Sequence, residues 1–315
     1  MERGCAPSAS GARDLRAVAV TSAAVLAVGG VLVACGSGTG HGAPTSASGS
    51  AQGLVAPSST EEFRPGLDAD IYTPTTTGPA TTPATVTPGG SVSRTPVVVL
   101  IPGGGWTSAD RSGLAPLAAA LARSGMTVVS ATYRTADSGT FYPAPLEDVA
   151  CAVAFAAARA TAAGIDPHPL VVVGHSAGAN LAALAALTPE HVAATCPYPA
   201  VAPDALVGLS GPYDVAEIPE IAVALFGVSA QKDAALWKDG NPLTHADSRP
   251  DVPVLLLHGR ADPVVPVSFT TRFAVALKDG GHQVTVELVA GADHVGTYQA
   301  DVAAPRLVDW IDNLP

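Results

Sequence analysis

Five short runs of apolar residues, spaced by alanine-rich stretches, constrain the fold of this chain more than any other feature. They are Pro96-Val-Val-Val-Leu-Ile101, Met126-Thr-Val-Val-Ser-Ala131, Leu170-Val-Val-Val173, Ala205-Leu-Val-Gly-Leu209 and Val252-Pro-Val-Leu-Leu-Leu257. A strand with one wet face alternates polar and apolar residues. A run that is apolar throughout is buried on both faces, as in a parallel sheet covered by helices on either side. His282 to Val289 is expected to add a last strand, and helices are expected near 110–123, 144–163, 177–187, 265–279 and 297–313. The reading is one doubly wound, mostly parallel α/β domain over 61–315, long enough to bury an ample core.

The residues before 61 do not belong to that pattern. Arg3, Arg13 and Arg16 precede an uncharged run from Ala17 to Ala34 that ends in Leu32-Val33-Ala34-Cys35-Gly36. A charged start followed by a short apolar stretch reads as an export signal. The terminal motif resembles the bacterial lipobox, which implies removal of 1–34, lipidation of Cys35 and a membrane-anchored protein outside the cytoplasm. The alternatives are a retained anchor, since about 20 apolar residues span a bilayer, and plain secretion. Residues 35–60 are mostly Gly, Ser, Thr, Ala and Pro and cannot offset their ordering entropy, so they read as a flexible tether. A second Thr/Pro-rich stretch, 74–95, reads as a surface loop between the first strands.

Net charge is −11 and no basic stripe is present, which argues against nucleic acid as a partner. No Cys/His cluster has metal-ligand spacing, so neither a metal nor a cofactor is expected.

The sharpest local signal is Gly174-His175-Ser176-Ala177-Gly178, between an apolar strand and a helix starting at Ala177. A serine on a tight strand-to-helix turn has its hydroxyl exposed at the sheet edge, and small neighbours let that turn close. Together with Ile101-Pro-Gly-Gly-Gly-Trp106, Leu255-Leu-Leu-His-Gly-Arg-Ala-Asp-Pro-Val-Val-Pro266 and Gly291-Ala-Asp-His294, the elbow resembles the α/β-hydrolase esterases. The nearest groups are relatives of hormone-sensitive lipase, feruloyl-esterase-like hydrolases and kynurenine formamidases. The resemblance covers essentially all of 61–315.

That resemblance implies an α/β-hydrolase fold and a triad in the order Ser, Asp or Glu, His. Ser176 is then the nucleophile, Asp262 the acid and His294 the base. Asp262 could equally be a turn or cap residue before Pro263, and Asp214 in Gly211-Pro-Tyr-Asp is the alternative acid. Of the eight histidines only His294 follows the last strand; His175 and His258 read as packing or hydrogen-bonding residues. The expected oxyanion donors are the backbone N–H groups of Ala177, Gly104 and Gly105. The family usually has His before its three glycines, where this chain has Pro102; proline offers no donor, which leaves the loop's rigidity and the substrate open.

Between Gly211 and Asp251 there is room for a small cap, with Phe226 and Trp237 as apolar lining and Trp106 as a wall of the pocket. The alternative for all three aromatics is core packing. Cys151 and Cys196 lie near helices that flank the nucleophile strand, and an exported chain permits a disulfide between them; two separate buried thiols are the alternative. The function expected is hydrolysis of small or exposed acyl esters through an acyl-enzyme. An amidase, formamidase or peptidase with the same triad, or a non-catalytic binding protein on the same fold, remain the other readings.

Overall fold

A computed structural model describes residues 56–74, 95–191 and 193–314. The expected export signal, Cys35 and almost all of the tether and of the 74–95 loop lie outside those residues. Eight strands form one open sheet in the order β1-β2-β4-β3-β5-β6-β7-β8. They are β1 (Ser59–Arg64), β2 (Leu67–Tyr72), β3 (Val97–Ile101), β4 (Thr127–Ala131), β5 (Leu170–His175), β6 (Ala205–Leu209), β7 (Val254–Gly259) and β8 (Val284–Val289). From β4 to β8 every pairing is parallel; β2 runs antiparallel to both β1 and β4. The first strand begins at Ser59, two residues ahead of the expected domain start. The β1–β2 hairpin escaped the reading of the sequence because only its inner residues are apolar.

Alternation along each strand divides the core in two. Val98, Leu100, Val171, Val173, Leu255 and Leu257 face α1 (Ala115–Arg123) and α7 (Ala300–Asp312). Val97, Val99, Ile101, Leu170, Val172 and Leu256 face α2 (Ala144–Ala162), α3 (Ala177–Leu187) and α6 (Val267–Asp279). The central helix α3 has the sequence AGANLAALAAL and every residue of it is buried. A helix apolar on all sides is one covered on all sides. A short segment between β6 and β7 carries α4 (Pro219–Phe226) and α5 (Ala234–Asp239).

Two cross-links brace α2. Asp148 of α2 is fully buried and accepts from Arg64 Nη1 at 2.5 Å and from Arg134 Nε at 2.7 Å and Nη2 at 2.8 Å. A buried carboxylate persists only when paired and hydrogen-bonded in this way. Nearby, a disulfide joins Cys151 of α2 to Cys196 in the loop after α3, with the Cα atoms 5.7 Å apart.

Candidate active site

In a sheet of parallel strands, the loops that leave the carboxyl ends converge, and the ends of β3, β5, β7 and β8 bring four segments together here. At the end of β5 the chain turns into α3 through Ser176, whose φ of 52° and ψ of −122° place a non-glycine residue in a strained region. Two contacts make this turn possible only with glycine beside it. A Cβ at Gly178 would lie 2.5 Å from the Pro102 carbonyl oxygen, and one at Gly103 would lie 2.9 Å from Ser176 Cβ. The absence of side chains at 103 and 178 therefore lets the end of β3 press against the elbow.

The Ser176 hydroxyl lies 2.9 Å from His294 Nε2, and His294 Nδ1 lies 2.8 Å from Asp262 Oδ2. His294 comes from the loop after β8, and Asp262 from the loop after β7. The Asp262 side chain is wholly buried. Its other oxygen accepts the backbone N–H groups of Val264 and Val265 at 2.8 and 2.9 Å. Burial acts to raise its pKa, but the hydrogen bonds from His294 and from these two amides outweigh it, so the carboxyl stays below its ordinary range. An ionised Asp262 leaves His294 Nδ1 as the donor and Nε2 free to accept from serine.

A further layer fixes the imidazole. The His294 carbonyl accepts from His175 Nε2 at 2.9 Å and from the Thr297 hydroxyl at 2.9 Å. The His175 ring packs against His294 (centroids 4.7 Å apart) and edge-on to Tyr298 (4.5 Å). Burial, and then the neighbouring His294 ring, push the His175 pKa down to about 4, so this ring is neutral at ordinary pH. His258, wholly buried, has Nε2 2.8 Å from the Val265 carbonyl and Nδ1 2.7 Å from the Thr270 hydroxyl. A neutral ring satisfies both if Nε2–H donates and the threonine hydroxyl donates to Nδ1. His258 thereby holds the turn whose amides bind Asp262. Sequence alone left both histidines as packing or hydrogen-bonding residues; nothing in their spacing could say which groups they serve.

Ser176 opens into a cleft of about 440 Å³, within the usual range for small-molecule sites. One end lies over β3, with Gly103, Gly104, Gly105, Trp106, Asp110 and Leu114; the other lies over β6–β8, with Ile218, Ile221, Val264, Phe269 and Val295. Among the described residues, no protein group accepts from the N–H groups of Gly104, Gly105 or Ala177, all of which line the cleft. Gly104 and Gly105 have positive φ, 136° and 59°, which glycine tolerates. Pro102 lies ahead of that run, and its carbonyl accepts from the buried Tyr133 hydroxyl at 3.1 Å.

One expectation is corrected. Phe226 and Trp237 do not line the cleft: they stack on each other at 4.4 Å and fill the interior of the β6–β7 segment. Helix α4 turns Ala222, Leu225 and Phe226 inward and leaves Ile221 facing out, so Ile218 and Ile221 form the lining instead. Asp214, the alternative acid, accepts from Asn241 Nδ2 at 3.0 Å and is not in contact with His294. Trp106 does line the cleft.

The sequence profile of the BD-FAE family matches residues 85–277. The chain belongs to the BD-FAE family. This BD-FAE member is 31% identical to Esterase LipQ of Mycobacterium tuberculosis over 199 residues, 60% of this chain and 47% of that protein. It is 32% identical to the probable carboxylic ester hydrolase LipM of the same organism over 210 residues, 61% of this chain and 47% of that one. The chain spans about half the length of these relatives. Among solved structures it resembles a thermophilic esterase from Thermogutta terrifontis with propionate bound, at a TM-score of 0.61 and 22% identity, covering 81% of this chain and 92% of that one. A truncated carbohydrate esterase from gut microbiota gives a TM-score of 0.62 at 20% identity, covering 78% of this chain and 89% of that one. These likenesses fix the fold as that of the α/β-hydrolases.

Proposed function

We propose that the protein is a serine hydrolase of carboxylic esters that works through an acyl-enzyme. The observation that carries this reading is the unbroken line from Ser176 Oγ through His294 to a buried, amide-bound Asp262 at the mouth of an apolar cleft. That the mycobacterial relatives are an esterase, LipQ, and a probable carboxylic ester hydrolase, LipM, supports the same class of reaction.

In the proposed cycle Ser176 Oγ bonds to the ester carbonyl carbon while its proton passes to His294 Nε2. Asp262 stabilises the resulting imidazolium. The carbonyl oxygen becomes an oxyanion, for which the N–H groups of Ala177, Gly104 and Gly105 are the donors to hand, each worth about 10²–10³ in rate. Collapse expels the alcohol, which leaves with the proton held by His294. Water then gives its proton to His294, attacks the acyl carbon and releases the acid, and the proton returns to Ser176. The Leu-Val-Ala-Cys motif at 32–35 supports a second part of the proposal, that the enzyme acts outside the cytoplasm, lipid-anchored at Cys35.

A fluorophosphonate probe tests the first part: it labels the purified protein at Ser176 alone, and Ser176→Ala abolishes labelling together with hydrolysis of p-nitrophenyl butyrate. Labelling that persists in the variant overturns the assignment. Mass spectrometry of the mature protein tests the second: a diacylglyceryl group on an N-terminal Cys35 is expected, and an intact 1–34 segment refutes it.

A further inference from the structure

The cleft is polarised along the strand order. Ser176, at the end of β5, stands between two unlike ends. Over β6–β8 the walls are Ile218, Ile221, Val264, Val265, Phe269 and Val295, and at the rim Ile221, Val264 and Val295 are 55%, 62% and 47% exposed. Over β3 the lining holds a carboxylate, Asp110, and among the described residues that line the cleft there is neither lysine nor arginine.

Two arginines near the cleft are paired with carboxylates other than Asp110, although the charge of Arg111 still acts on Asp110. Arg111, its neighbour in sequence, forms an ion pair with Asp70 of β2 at 3.0 Å. Arg272, beside Phe269 at the other end, is held by both oxygens of Glu217. One Asp110 oxygen accepts the Ser112 N–H at 2.9 Å, which pins the side chain at the start of the 3₁₀ turn Arg111–Leu114. Its hydrogen bonds to Ser112 hold the carboxyl below its ordinary range, so it remains an anion across physiological pH.

We infer that Asp110 is a specificity-determining residue that makes the cleft select neutral or cationic esters and reject anionic ones. This rests on the hydrolase reading above and adds a charge rule to it. A substrate bridging the nucleophile lays its apolar part over β6–β8 and brings its other part toward Asp110. There an ammonium group is attracted and a carboxylate or sulfonate is repelled. For charges about 7 Å apart in well-hydrated surroundings, each effect is roughly threefold, so the ratio of cationic to anionic rates should be about tenfold.

The test measures kcat/KM on butyrate esters of choline, of its uncharged isostere 3,3-dimethylbutanol and of 3-hydroxypropanesulfonate. A second series of p-nitrophenyl esters carries the same charges on the acyl group. In the unaltered protein the cationic-to-anionic ratio is expected to reach about tenfold in at least one series and to shrink as salt is raised. Asp110→Asn and Asp110→Ser both keep an acceptor for the Ser112 N–H, and both are expected to reduce that ratio at least threefold. A ratio near one in both series, or one that neither variant alters, overturns the inference while leaving the hydrolase reading intact. Failure to hydrolyse even the uncharged esters overturns the hydrolase reading and this inference with it.

Discussion

At the scale of single residues, the arrangement separates groups that would do chemistry from groups that hold them. Asp262→Asn keeps its size and loses its charge, so the protein should fold normally while kcat drops by about 10⁴, as in other triads. Asp214→Asn should leave kcat within a few-fold, because Asp214 is bound to Asn241. Steady-state kinetics on the pair decide the matter, and a larger loss from Asp214→Asn would move the acid to β6. His175 makes a different prediction. Its folded pKa of about 4 lies below the unfolded value near 6.5. Between those values the unfolded chain binds the extra proton, so the stability that a neutral His175 contributes is complete above about pH 6.5 and is lost as pH falls toward 4. The full loss is about 3 kcal/mol. His175→Gln retains a donor for the His294 carbonyl and cannot titrate. Urea unfolding over this pH range should show the parent losing about 3 kcal/mol relative to the variant as pH falls from about 6.5 to 4, with the difference flat below 4; parallel curves would refute it.

At the scale of elements, the strands and helices of the main sheet were legible because both-face burial writes a continuous apolar run. The helix predicted at 177–187 is α3, residue for residue. The residues of the hydrogen-bonded line Ser176–His294–Asp262 were legible through Gly174-His175-Ser176-Ala177-Gly178 and the spacing of Asp262 and His294 behind it. The β1–β2 hairpin was not, because an edge hairpin buries only part of its surface and leaves a weak pattern. The β6–β7 segment misled for another reason: large aromatics pack equally well into a pocket wall or into the core that Phe226 and Trp237 join, and composition cannot distinguish them. The elbow itself yields a test. At Gly178 an alanine Cβ would meet the Pro102 carbonyl at 2.5 Å, with backbone on both sides and nothing soft to yield. Gly178→Ala should destabilise by about 1–3 kcal/mol. It should also lower kcat disproportionately, because relieving the clash shifts the loop that carries Gly104 and Gly105. Loss of stability with kcat preserved would show that the β3 loop has no part in catalysis.

At the scale of the whole molecule, the Cys151–Cys196 disulfide and the Asp148 ion pairs hold the same side of the body, where α2 meets β1 and the loop after α3. The disulfide closes a loop of separation 45 that contains the entire elbow. Restricting the unfolded chain over that length contributes about 4 kcal/mol on an entropic account. The double variant Cys151→Ser/Cys196→Ser should therefore unfold at markedly lower urea concentration, with the change in midpoint giving the loss. A midpoint within error of the parent would mean the bond adds nothing.

The direction of the strands has a practical outcome. Strands β3 to β8 run parallel, so their first residues lie at the edge opposite the cleft; β1 runs the same way, but its first residue, Ser59, is level through Ile71 with Val129 in the middle of β4. Leu314, at the other end of the domain, sits on the edge opposite the cleft, beside Pro96, Pro169 and Asp204, which precede β3, β5 and β6. Whatever is attached beyond Leu314, be it an affinity handle, a bead or a display scaffold, leaves from the rear of the body. The mouth then opens toward bulk solvent, and a protein immobilised by its carboxyl end should receive substrate as freely as it does in solution.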